Sequence, residues 1–120
     1  MEHDKLLSML GICRKAGRLI LGADAVAESI NKGDAYIVLL THDLSRRSEK
    51  KIAAAAVHKS IKVLKIPLSM DDIGALIGKA SGIIAVTDKG LADAVESRVG
   101  ALDTDSPQAH KRHANEEGTI

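Results

Sequence analysis

Apolar positions recur along the chain with two alternating periods, and the switches between them divide it into elements. Residues 4–16 are amphipathic with a helical repeat: Leu6, Met9, Leu10 and Cys13 fall on one stripe, and Gly17 follows as a C-cap. "RLIL" then reads as a short strand ending at Gly22. Over 23–32, Ala23, Val26, Ala27 and Ile30 share one face while Asp24, Glu28 and Asn31 take the other, a second helix closed by Gly33. The nearly continuous apolar run "AYIVLLT" at 35–41 is the pattern of a central strand covered on both faces. Ser45 is placed to cap a helix through His58, and "IKVLKI" at 61–66 is a strand stopped before Pro67. A helix at about 70–78, a strand "IIAVT" at 83–87 and a last helix at about 89–98 complete the series.

Helices and strands alternating in this way predict an α/β fold: a three-layer α/β/α sandwich around a four-stranded mixed sheet, in one domain spanning 1–99. From Gly100 the periodicity stops, and the polar stretch 100–120 reads as a disordered tail. His110 and His113 flank Lys111 and Arg112 there. A solvated tail outweighs a metal site for that pair.

With 120 residues, 45% of them hydrophobic, the chain can bury a core of its own. That core must be aliphatic, because one Tyr is the sole aromatic. The same lack excludes RNA-binding modules that stack bases on sheet aromatics. Lone Cys13 sits on the apolar stripe of the first helix and excludes an internal disulfide or a cysteine-built zinc site. No apolar run approaches the ~18 residues of a membrane span, and acidic Glu2 and Asp4 at the start do not suit a signal peptide. The expectation is a cytoplasmic monomer with no membrane association, no metal and no cofactor.

Catalytic patterns are thin. No Gly-x-Ser-x-Gly elbow and no G-x-G-x-x-G occur. "GALIGKAS" from Gly74 to Ser81 has three residues between its glycines where a phosphate loop needs four, and Ala80 follows Lys79. Asp71 and Asp72 at a helix start, and Asp88 before the last helix, are most simply caps. An enzyme is not expected.

Charge is more informative. Residues 1–65 carry 12 Lys/Arg against 7 Asp/Glu, and residues 66–120 carry 5 against 9, so a net charge of +1 hides a basic half. Arg14, Lys15 and Arg18 precede the first strand; Arg46, Arg47, Lys50 and Lys51 crowd the start of the third helix. Cations in a first turn oppose the helix dipole by about 0.3–1 kcal/mol, which an anionic partner would offset. A solvated charged face, with Glu49 interleaved, is the rival reading. Position favours the anion: in α/β folds, ligands sit where helix N-termini leave strand ends. If the strands ending at Gly22 and Thr41 are parallel neighbours, two such N-termini converge beside His42 and Asp43.

"KAGRLILGADAVAESINKGDAYIVLLTHDLSRRSEKKI" resembles the kink-turn RNA-binding family of ribosomal proteins. That family includes the archaeal large-subunit protein seven-Ae, the eukaryotic thirty-e and stand-alone bacterial members of the YlxQ type. The similarity rests on the order of the Lys-Ala-Gly-Arg run, Gly22, the Lys-Gly before the central strand and the Ile-Gly-Lys-Ala stretch, and covers roughly 5–98. It implies a non-catalytic, ribosome-associated protein binding structured RNA, ribosomal or in an mRNA leader. The second helix's N-terminus would read tandem G·A pairs in a widened major groove. Carried over, the RNA-binding residues are Gly22, Ala23, Asp24, Ala25 and Glu28, to which the basic cluster adds Arg18. The turn after the central strand adds Thr41, His42, Asp43, Arg46 and Arg47, with Lys50 joining from the basic run of the third helix, and the loop Gly78, Lys79, Ala80, Ser81 and Gly82 would meet a flipped-out base.

The resemblance also marks departures. Family members often carry Asn or Lys at the position of Asp24, and Lys at that of Glu28. A carboxylate accepts from a guanine N–H edge but cannot donate to O6. Two rival uses stay open: a protein–protein adaptor presenting these acids to a basic partner, and an enzyme for a small phosphorylated ligand at "GKAS".

Overall fold

The computed structural model describes residues 2–103. In chain order its elements are α1 (Glu2–Lys15), β1 (Leu19–Leu21), α2 (Ala23–Lys32), β2 (Ile37–Thr41), α3 (Arg46–His58), β3 (Lys62–Ile66), α4 (Met70–Ile77), β4 (Ile83–Val86) and α5 (Lys89–Asp103). The strands form one sheet in the order β1-β4-β2-β3. β2 and β3 are parallel, which the crossover through α3 permits, while β4 runs antiparallel to both β1 and β2. This is the mixed α/β/α sandwich that the periodicity predicts.

Strand alternation assigns the layers. Val38, Leu40, Ile83 and Ala85 face α2 and α3, meeting Val26, Ile30, Ile52 and Ala56. The intervening Ile37, Leu39, Ile84 and Val86 face α1, α4 and α5, meeting Leu6, Leu10, Ile73 and Val95. β2 and β4 are buried along their whole length, which is why both read as unbroken apolar runs. Cys13 belongs to the second cluster; burial and the nearby Asp88 push its thiol up, so it packs as a small hydrophobe.

Local signals mark most boundaries. Ser45 accepts from the Ser48 N–H at 3.2 Å and caps α3. Ser69 and Asp72 form a reciprocal capping box on α4, and Asp88 accepts from the Leu91 N–H at 2.9 Å at the start of α5. Gly33 closes α2 in the left-handed region at φ 81°. Helix α5 continues across Gly100 to Asp103, beyond the end near 98 that periodicity predicts. One glycine costs about 1 kcal/mol relative to alanine, too little to end a helix without a stop of its own. The remaining stretch, with His110 and His113, lies outside the described residues. Among the described residues no helix is long and apolar enough to cross a membrane, and no group of three or more His, Cys, Asp or Glu could hold a metal.

Candidate nucleic-acid interface

Three turns meet at one end of the sheet because β4 runs opposite to its neighbours. Its first residues lie between the carboxyl ends of β1 and β2. The Gly22 N–H donates to the Ile83 carbonyl at 3.0 Å, and the Thr41 N–H donates to the Gly82 carbonyl at 3.0 Å. The loop 78–82 is thereby pinned between the start of α2 and the turn before α3. β1 and β2 are consequently not neighbours, as a pairing of parallel strands would have it; β4 separates them. The two helix starts nevertheless come together, since α2 and α3 pack side by side on the same face.

Between them runs a cleft of ≈ 330 Å³ with Ala23, Ala27, Ile52 and Ile83 on its apolar walls and Asp24 and Lys51 among its polar lining. Gly22 makes the approach possible. It stands at φ 99°, ψ 150°, a region that only glycine occupies without strain, and presents no side chain in front of the α2 N-terminus. Ala23, Asp24 and Ala25 follow it, all exposed.

On the α3 side, His42, Arg46, Arg47 and Lys50 are exposed. The ion pairs among the described residues engage Lys32, Lys62, Lys65 and Lys89, leaving both arginines and Lys50 without an acidic partner. Thr41 is wholly buried, so it forms the floor of the turn and offers no surface contact. Asp43 is also committed elsewhere: its carboxylate accepts from the Met70 N–H at 3.1 and 3.3 Å, tying the turn to the start of α4.

Desolvation pushes the Asp43 carboxyl up, but its other surroundings outweigh that. The Thr41 hydroxyl beside it, the N–H groups of Met70 and of Asp43 itself, and His42 together hold it below its ordinary 3.8. The Thr41 hydroxyl, although adjacent, has no hydrogen-bond partner of good geometry, so the Met70 N–H is the firm contact. A depressed carboxylate means that the unfolded chain binds the proton more readily. Its stabilisation is present above pH 3.8 and lost as pH falls through the folded value. Asp43→Asn is therefore expected to lower stability at neutral pH and to flatten the acid limb of a denaturant-midpoint profile. An acid limb identical to that of the wild type would contradict the assignment.

In the loop, Gly78 ends α4 at φ 92°, and Lys79 and Ala80 are exposed. Ser81 turns inward: its hydroxyl donates to the Ile83 carbonyl at 3.1 Å and accepts from the Ile83 N–H at 3.3 Å. Gly82 is buried against Leu44, Thr41 and Met70.

One sequence candidate is not brought to this end. Arg18 lies at the far end of a groove that runs along α2 past Ala25, Glu28 and Lys32 to Asp34 and Thr87, and Glu28 stands one turn after Asp24. The Arg18 carbonyl accepts from the Thr87 N–H, at the opposite end of β4 from Gly22. Conversely, Ser48 and Lys51 line the cleft. Lys51, one turn after Arg47, was visible in the basic run; the helical repeat that turns it toward α2 is the signal that finds it.

An open α2 start, a cationic α3 start and a pinned loop thus gather at one end of a mixed α/β/α sheet. Residues 4–96 match the Ribosomal protein L7Ae/L30e/S12e/Gadd45 family, and the chain belongs to it. Within that family it is of the bacterial YlxQ type. It is 34% identical over 86 residues to "RNA-binding protein YlxQ" of Bacillus subtilis (strain 168), covering 71% of this chain and 85% of that protein. It is 26% identical over 91 residues to "RNA-binding protein YlxQ" of Enterococcus faecium, covering 76% and 87%. Among solved structures, a protein of unknown function from Bacillus halodurans superposes with a TM-score of 0.74 at 26% identity, covering 80% of this chain and 97% of that one. The Giardia lamblia 15.5kD RNA binding protein shares the fold, with a TM-score of 0.67 at 18% identity, covering 86% and 88%.

Proposed function

We propose that this protein is a non-catalytic RNA-binding protein that recognises a kink-turn or a similar internally looped RNA. It works as a cytoplasmic monomer associated with the ribosome. One observation carries the reading: the α2 N-terminus, the unpaired cations of α3 and the loop 78–82 converge on one end of the sheet. The two YlxQ proteins described as RNA-binding support it. A splayed RNA is the fitting target, because an ordinary A-form major groove is too narrow to admit a helix. The α2 start then enters the opened groove, Ala23 and Ala25 allow close approach, and Arg46 and Arg47 meet the backbone.

Asp24 sits in the midst of this arrangement and opposes phosphate. Replacing it with Asn removes the repulsion and supplies a donor for guanine O6. Asp24→Asn is expected to raise affinity for a kink-turn RNA by about threefold to tenfold, the worth of one net hydrogen bond. Unchanged affinity would remove the α2 start from the interface, whereas reduced affinity would show the Asp24 carboxylate accepting from a guanine edge there. The adaptor alternative needs Asp24 and Glu28 on one acidic face. They stand one turn apart on α2 and both are exposed, but the unpaired Arg46, Arg47 and Lys50 beside them at the α3 start favour an anionic partner.

A further inference from the structure

Beside the α3 start lies a second, smaller basin of ≈ 270 Å³, lined by His42, Leu44, Arg46, Glu49, Lys50 and Lys65. Three elements supply its polar groups: the turn after β2, the first turns of α3, and β3. Lys65 is the addition that neither the motif nor the charge clusters suggest. On β3, Val63 packs toward α2 and α3. Lys65, two residues on, projects to the same side at the strand's carboxyl end. Lys62 points to the other side and is paired with Glu96 of α5. The two lysines of this edge strand therefore serve different faces, and only Lys65 joins a cluster of further cations.

Within the basin Glu49 is the sole carboxylate, and it holds Lys65 at 3.2 Å. Its partner's side chain is 55% exposed, so the pair is a surface ion pair, weak and readily exchanged. Arg46 stands one turn before both Glu49 and Lys50, all three line the basin, and neither Arg46 nor Lys50 has an acidic partner of its own. Three fixed cations around one carboxylate leave an excess of positive charge in a concave site, which is the chemistry that seats a phosphate dianion or phosphodiester.

We propose that this basin is a phosphate seat for the RNA backbone, with Glu49 occupying Lys65 in the free protein and a phosphodiester displacing it on binding. The occupant rests on the RNA reading above; the seat itself rests on the basin. It lies on the β3 side of α3, away from the cleft shared with α2. The RNA therefore straddles α3 and does not stop at the α2 start.

The test combines a salt series with a ligand that does not depend on RNA. With a labelled kink-turn RNA, Lys65→Gln is expected to weaken binding about fivefold to tenfold and to reduce the salt slope by about one, as for one lost phosphate contact. Glu49→Gln is expected to tighten binding by at least about threefold, and the gain should vanish in the double variant. Lys65→Arg should retain affinity. Wild-type affinity and slope in Lys65→Gln would overturn the seat while leaving RNA binding intact. In parallel, inorganic pyrophosphate is expected to shift the backbone amide resonances of His42, Leu44 and Lys65 in the wild type and not in Lys65→Gln. Absence of those shifts would also overturn the seat. Pyrophosphate shifts without binding of any RNA would overturn the RNA occupant and the functional reading with it.

Discussion

Reversing both charges at the α3 start, Arg46→Glu with Arg47→Glu, is expected to lower affinity for structured RNA by about a hundredfold or more. Each charge-assisted contact to phosphate is worth about 1.5 kcal/mol at the low end, so two together exceed two decades before repulsion is counted. The salt slope should fall by nearly two as well, at about 0.7–0.9 per phosphate released. The fold should not suffer. Acids in a helix's first turn complement its dipole where arginines oppose it, so thermal stability is expected to stay level or rise slightly. That separation makes the variant informative. Both side chains are exposed and free of acidic partners among the described residues, so nothing structural is lost with them. Retained affinity in a folded double variant would sink the assignment of the α3 start.

The second large effect concerns the loop. A Cβ at Gly82 would stand 2.8 Å from a Leu44 methyl, 2.9 Å from the Thr41 hydroxyl oxygen and 3.3 Å from the Met70 terminal methyl. The Leu44 and Met70 tips can swing aside. Thr41 cannot: it is β-branched, wholly buried and the last residue of β2. Gly82→Val is therefore expected to destabilise by about 1–3 kcal/mol, the usual cost of overpacking. It should also push the loop from the turn it is hydrogen-bonded to, so RNA affinity should fall together with stability. A denaturant midpoint equal to that of the wild type would show that the loop is not pinned as described.

These variants also mark where sequence reasoning reaches its limit. Gly22, Gly33 and Ser45 set the bounds of α2 and α3 through purely local chemistry, and a periodicity reading finds them. The all-apolar runs of β2 and β4 likewise announce strands covered on both faces. Which strand lies beside which is a long-range matter, and nothing local to "LIL" or "IVLLT" states that β4 will come between them. The convergence survives because helices on one face can touch across an intervening strand.

Arg18 shows the opposite failure. Its closeness to Gly22 in sequence suggests one cluster, but an extended strand advances about 3.3 Å per residue. Four such steps carry it roughly 13 Å, to the other end of the sheet. Thr41 and Asp43 carry the motif's position while serving the architecture, as floor and as tether to α4. Lys65 was invisible for a third reason. Its relation to Glu49 depends on α3 folding back over β3, which the charge pattern alone does not encode.

The most direct measurement is a titration of the purified protein against a kink-turn RNA and against the same RNA with its tandem G·A pairs replaced. Submicromolar binding to the first, with at least about tenfold weaker binding to the second, is the expected result, since each lost base contact costs about 1–3 kcal/mol. Equal, weak and salt-sensitive binding to both would contradict it, leaving only a cationic face that meets phosphates without reading the RNA.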